Sequence, residues 1–161
     1  MKNFCLILFF LIMQSVSAQN PATTTIYLIR HAEKADLSSN PELSDVGIKR
    51  AKNWAAYFEK IPIDLFYTTM YKRTQQTCSA IAATKQKDII FYKPDAMDLK
   101  KVIAENQGKT LLIVAHSNTI PNYINKLLDT AKYADIPESE FGNLYRITVT
   151  DEKISDELIH P

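Results

Sequence analysis

The segment Thr110–Ala115, TLLIVA, constrains the fold more than any other feature of this chain. It carries no charge and no polar alternation, so both of its faces must be covered. A strand buried on both faces belongs to a sheet with helices on either side. Thr25–Ile29 (TIYLI) has the same character. Asp64–Thr68 and Asp88–Tyr92 are two further β-rich runs.

Helical patterns separate these runs. Ser44 is a good helix cap, with Asp45 suited to the first turn. Ile48, Ala51, Trp54, Ala55, Phe58 and Ile61 then recur at helical spacing until Pro62 stops the helix. Tyr71–Thr84 reads as a second helix, with Cys78, Ile81 and Ala82 on its apolar side. Asp98–Asn106 reads as a third, ended near Gly108. Asn118–Leu128 reads as a fourth, with Pro121 in its first turn and Ile120, Ile124, Leu127 and Leu128 facing the core. Leu144–Val149 and Lys153–Leu158 alternate apolar and polar residues and read as a terminal strand pair around Asp151-Glu152. The expected fold is a three-layer α/β/α sandwich with a mixed, mostly parallel central sheet.

The N-terminus stands apart. Lys2 precedes the apolar run Phe4–Met13, and Val16 and Ala18 are small. This is the pattern of a secretory signal cut after Ala18, leaving residues 19–161 as one domain. A bilayer span needs roughly 20 apolar residues, so the ten of the run predict no stable membrane span. The expected destination is the periplasm or the exterior. Of two cysteines in the chain, Cys78 alone would remain, as a small buried hydrophobe. The formal charge of +1 and the absence of a basic stripe argue against a nucleic-acid partner.

Ligands of α/β sheets bind beyond the carboxyl ends of the strands. Arg30, His31, Ala32 and Glu33 follow the first strand, Thr69–Arg73 the second, and His116, Ser117 and Asn118 the TLLIVA strand. Two of three histidines and two of four arginines thus stand at strand ends. Each alone would be an ordinary surface or capping residue; three junctions together suit phosphate. Arg30 and Arg73 offer planar forks, and a protonated His116 and the helix-start amides add donors. His31 can be the in-line nucleophile, and if the arginines supply the charge no metal or other cofactor is required.

Four segments carry a family resemblance. Tyr27–Lys34 (YLIRHAEK) resembles the signature of the histidine phosphatase superfamily, which includes the phosphoglycerate mutases. Leu43-Ser44-Asp45-Val46-Gly47 resembles its Leu-Ser/Thr-x-x-Gly segment, Tyr67–Thr77 the element with the second arginine, and Val114–Thr119 the element with the second histidine. The resemblance implies a phosphoglycerate mutase-like fold and His31 as phosphoryl acceptor. Arg30, Arg73 and His116 would bind the phosphate, and the substrate would be a small phosphorylated molecule. It also implies an acidic proton donor between Arg73 and His116. Asp95, just past a strand end, is the foremost candidate, with Asp98 and Glu105 as others. Ala32 stands where the family most often has glycine. The short stretch from Arg73 to His116 lacks the insertion of the mutases and looks like the compact phosphatases, phosphohistidine phosphatases among them.

Other chemistries fit less well. His31-Ala32-Glu33 matches half of a zinc-deaminase signature whose Pro-Cys-x-x-Cys half is missing. Ser117 at a strand-to-helix turn lacks the flanking glycines of a nucleophile elbow. The principal alternative is a non-catalytic phosphate-binding or interaction module on the same fold.

Overall fold

The computed structural model describes residues 22–161. The signal-segment reading of residues 1–18 lies outside them. Six strands form one sheet in the order β3-β2-β4-β1-β5-β6: β1 (Thr24–Arg30), β2 (Leu65–Thr69), β3 (Ile89–Tyr92), β4 (Thr110–Ala115), β5 (Leu144–Thr150) and β6 (Lys153–Ile159). The helices are α1 (Asp45–Tyr57), α2 (Lys72–Ala82), α3 (Leu99–Glu105) and α4 (Thr119–Leu128). β1 through β4 pair in parallel, and β5 and β6 run antiparallel on the β1 edge. Asp151 and Glu152 turn the β5–β6 hairpin with φ of 48° and 63°, the left-handed conformation that two-residue hairpin turns demand.

The two-residue period of a strand explains why Leu111–Ala115 carries no polar side chain on either face. Leu111, Ile113 and Ala115 face one core, with Ile26, Leu28, Ile120, Ile124 and Leu127. Leu112 and Val114 face the other, with Ile29, Trp54, Phe58, Phe66, Cys78 and Ile81. Thus α1 and α2 cover one face and α3 and α4 the other, the three-layer sandwich expected. Cys78 is fully buried, and burial pushes its thiol up to about 12.

Helix boundaries depart from the expected ones where a cap overrides periodicity. α1 ends at Tyr57, with Phe58 as its last cap, four residues before Pro62. Ile48 is exposed, and the buried stripe runs through Gly47, Ala51, Trp54 and Phe58. Helical spacing alone does not fix which side of the stripe meets the sheet. The Ser44 cap is as expected: its Oγ accepts from Gly47 N at 3.1 Å.

Gly47 is demanded by close approach. A Cβ there would lie 2.3 Å from the Glu33 carbonyl oxygen and 3.0 Å from its nitrogen. Both are backbone atoms and cannot swing aside. Gly47→Ala is therefore expected to cost about 1–3 kcal/mol, as overpacking does, with the displacement passing to a segment two residues from His31. Urea unfolding measures it.

Candidate active site

The register of β1 on β4 places Arg30 opposite Ala115. The residues that follow, His31 and His116, therefore leave the sheet side by side. The ladder continues one step, with His31 N donating to Ala115 O at 3.0 Å. The two rings meet edge to face, with centroids 5.5 Å apart. Arg73, in the first turn of α2, comes from the end of β2, and its Nη2 lies 3.5 Å from His116 Nδ1. α2 is tied to the β1 end by Ala32 N donating to Thr77 Oγ1, which itself donates to Arg73 O. Arg30, His31, Arg73 and His116 thus line one cleft of about 300 Å³, with Lys34, Tyr71, Pro94, Ser117, Asn118, Thr119 and Glu138. A larger cavity, about 410 Å³, opens at the opposite end of the sheet beside Thr24 and Val149, far from these groups.

The protonation states follow from geometry. His31 Nδ1 lies 2.8 Å from the Ala32 carbonyl oxygen. A carbonyl only accepts, so Nδ1 carries the proton and a neutral ring has its lone pair on Nε2. Burial pushes His31 down to about 3; the bond to Ala32 opposes this, and His116, Arg73 and Arg30 reinforce it. His116 is pushed down to about 4 by burial and then by Arg73 and Arg30. Arg73 Nη2 can only donate to His116 Nδ1, so His116 Nε2–H donates to Thr69 Oγ1, 3.1 Å away. Without a ligand, His116 is neutral. The imidazolium expected from the sequence is disfavoured by burial between two guanidinium groups.

The sign of the resulting pH dependence is fixed. Above pH 6.5 both histidines are neutral folded or unfolded, and neither affects stability. As pH falls below 6.5 the unfolded chain takes up protons that the folded chain refuses until about pH 3 for His31 and 4 for His116. Stability therefore falls, by about 2 kcal/mol per histidine between pH 7 and pH 5. Urea denaturation at the two pH values measures this, and His31→Ala should halve the histidine contribution.

The guanidinium of Arg30 is almost wholly buried. Its Nη1 donates to the carbonyls of Pro137, Glu138 and Glu140 at 2.8–3.2 Å. Its plane lies on Phe141, 4.2 Å from ring centroid to Cζ, and Nη2 meets the Glu138 carboxylate at 2.9 Å. Arg73 stacks on Tyr71 at 4.5 Å. The Nε atoms of both arginines are buried without a partner. Buried donors left unpaired are costly, and a cleft lined by two guanidinium groups suits an anion.

The expected acids fall elsewhere. Asp95 sits in the short turn Pro94–Ala96 and lines a neighbouring cavity with Met97, Asp98 and Tyr123, whereas Pro94 beside it lines the cleft that holds His31. Asp98 caps α3, accepting from Lys100 N and Lys101 N. Glu105 ends α3 and pairs with Lys101. Glu33 pairs with Arg50 at 2.6 Å. The carboxylate that does line the cleft is Glu138, on the loop between α4 and β5. Sequence reasoning missed it, along with Lys34 and Phe141. The stretch Pro137–Phe141 has no periodicity or motif, and only the fold brings it over Arg30. Among the described residues, no three His, Cys, Asp and Glu side chains converge to hold a metal ion, and no helix is long and apolar enough to cross a membrane.

A mixed, mostly parallel α/β sheet with two histidines and two arginines at adjoining strand ends is an arrangement suited to anions. The description of the histidine phosphatase superfamily (branch 1) matches residues 26–93, so the resemblance read from the motifs holds. No curated protein sequence matches the chain. Solved structures share its phosphoglycerate mutase-like fold. An Entamoeba histolytica phosphoserine phosphatase variant in complex with phosphoserine aligns with TM-score 0.68 at 16% identity, over 83% of this chain and 94% of its own. A candidate phosphohistidine phosphatase, SixA, from Agrobacterium tumefaciens gives 0.62 at 20% identity, over 85% and 98%. A phosphoglycerate mutase from Bacillus anthracis gives 0.68 at 12% identity, over 88% and 94%.

Proposed function

We propose that this protein is an exported phosphatase that hydrolyses phosphomonoesters, or phosphohistidine, through a covalent intermediate on His31. The observation that carries this reading is the state of His31: a neutral imidazole whose free Nε2 lone pair stands in a cleft lined by two arginines. An imidazole already neutral at pH 7 needs no base to become a nucleophile. Its Nε2 would attack phosphorus in line with the leaving oxygen. Arg30 and Arg73, both lining the cleft, would neutralise the equatorial oxygens. A bound dianion would offset the burial and the charges of Arg73 and Arg30 that keep His116 neutral, so its Nδ1 would gain a proton and donate to the phosphoryl group. Water would then cleave the phosphorus–nitrogen bond.

The similarity to phosphatase structures supports this reading, as does the short segment between Arg73 and His116, which lacks a mutase-type insertion. The N-terminal Lys2–Ala18 pattern supports export; mass spectrometry of the protein recovered outside the cytosol should find a chain beginning at Gln19. The test of activity is phosphate release from a panel of phosphomonoesters and a phosphohistidine peptide. It is joined to trapping of a ³²P adduct that survives alkali and is lost in acid. Release and adduct should both depend on His31. Phosphate binding without either would make the protein a phosphate-ligand module instead.

A further inference from the structure

We propose that Glu138 is the acid–base residue of this site, protonating the leaving oxygen and then activating water; this rests on the phosphatase reading above. Among the described residues it is the only carboxylate that lines the cleft holding His31. Its side chain is 71% exposed, so it stands at the mouth, the side from which a leaving group departs. Its position is set from the nucleophile's own neighbour. Arg30 Nη1 holds the carbonyls of Pro137, Glu138 and Glu140 together, and Ile136 N donates to Ser117 O at 3.0 Å. The loop is thereby pinned to the ends of both β1 and β4. The carboxylate itself meets Arg30 Nη2 at 2.9 Å, Lys34 Nζ at 3.6 Å and Ser117 Oγ at 3.3 Å.

In the ligand-free cleft Glu138 is an anion. Burial pushes its carboxyl up, but Arg30, Lys34 and the bonds from Arg30 and Ser117 outweigh this and hold it below the usual range. A phosphoryl group takes over Arg30 Nη2 and sets negative charge beside the carboxylate, which favours its protonated form. The chemistry then balances. As the His31 Nε2–phosphorus bond forms and the phosphorus–oxygen bond breaks, the Glu138 proton goes to the leaving oxygen, giving the alcohol and a carboxylate. In the second half, water forms a bond to phosphorus and its proton goes to Glu138. The nitrogen–phosphorus bond breaks, with its electron pair returning to His31, and inorganic phosphate departs.

The experiment compares Glu138→Gln with the parent protein on an alkyl phosphomonoester, whose leaving group needs a proton, and on 4-nitrophenyl phosphate, whose leaving group does not. The expected result is a fall in kcat/KM of about 10²–10³-fold on the alkyl ester, as loss of a general acid produces, and of less than about tenfold on the nitrophenyl ester. Glu138→Asp should recover part of the alkyl-ester loss. An equal fall on both esters would overturn the proposal. So would no fall, or tighter inhibition by inorganic phosphate alone, which would make Glu138 only an anion resting on Arg30. If the parent protein shows no His31-dependent turnover of these esters, of the phosphomonoester panel or of the phosphohistidine peptide, the phosphatase reading fails and this assignment with it. If the parent turns over both and the variant shows no leaving-group dependence, this assignment alone fails.

Discussion

His31→Ala should abolish the phosphohistidine adduct and lower turnover by about 10⁴-fold or more, as removal of a covalent nucleophile does. No neighbour can take its place. His116 Nε2–H is committed to Thr69 and its Nδ1 faces the Arg73 guanidinium; once Nδ1 is protonated to donate to the phosphoryl group, the ring has no lone pair left for attack. The fold should persist. The His31 side chain makes one hydrogen bond, to the carbonyl of the next residue, whereas the backbone bond from His31 N to Ala115 O does not depend on the side chain. Steady-state turnover, adduct trapping and a melting curve at pH 7.5 together distinguish loss of chemistry from loss of structure. Retained inhibition by inorganic phosphate would show that the arginines still bind the anion.

Arg30→Ala is expected to reduce kcat/KM by about 10³-fold, since truncating one partner of a buried, hydrogen-bonded charge pair costs about 2–5 kcal/mol. Arg30 acts twice. Its guanidinium lines the cleft, with Nη2 on the Glu138 carboxylate, and its Nη1 gathers three carbonyls of the loop that carries Glu138. Alanine would weaken phosphate binding and also release Pro137–Phe141 from the cleft. Arg30→Lys should restore little, because an ammonium has neither the planar fork nor the flat face that lies on Phe141. The inhibition constant for inorganic phosphate and hydrogen exchange at Glu138–Phe141 measure the two effects separately. A loss of binding with the loop still protected would assign the whole effect to the anion contact.

Glu138 shows where sequence reasoning stopped. The family resemblance implies an acid between Arg73 and His116, and in that stretch Asp95 is the first carboxylate past β3. In the structure Asp95 turns to a neighbouring cavity while Pro94 takes the cleft. One residue of turn separates the two outcomes, and no periodicity marks which residue of a short 3-10 turn faces inward. Ile48 is a smaller case: helical spacing predicts an apolar stripe but not its rotation on the sheet. Gly47 is the reverse. Its place in a motif was legible, but the reason is a tertiary one, the passage of the Glu33 backbone where a Cβ would stand.

The sequence alone determined the layered fold and the four groups that meet at its strand ends. A strand whose residues Leu111–Ala115 are all apolar must lie between two layers, and residues that end parallel neighbours must emerge at one edge. Only the tertiary structure decided the protonation of the two histidines, because desolvation and the field of two guanidinium groups depend on distances that chain order does not hold. It also decided which carboxylate joins them. Glu138 reaches the cleft because a loop without pattern is gathered by the buried guanidinium of Arg30, and a contact made by packing leaves no mark on local sequence.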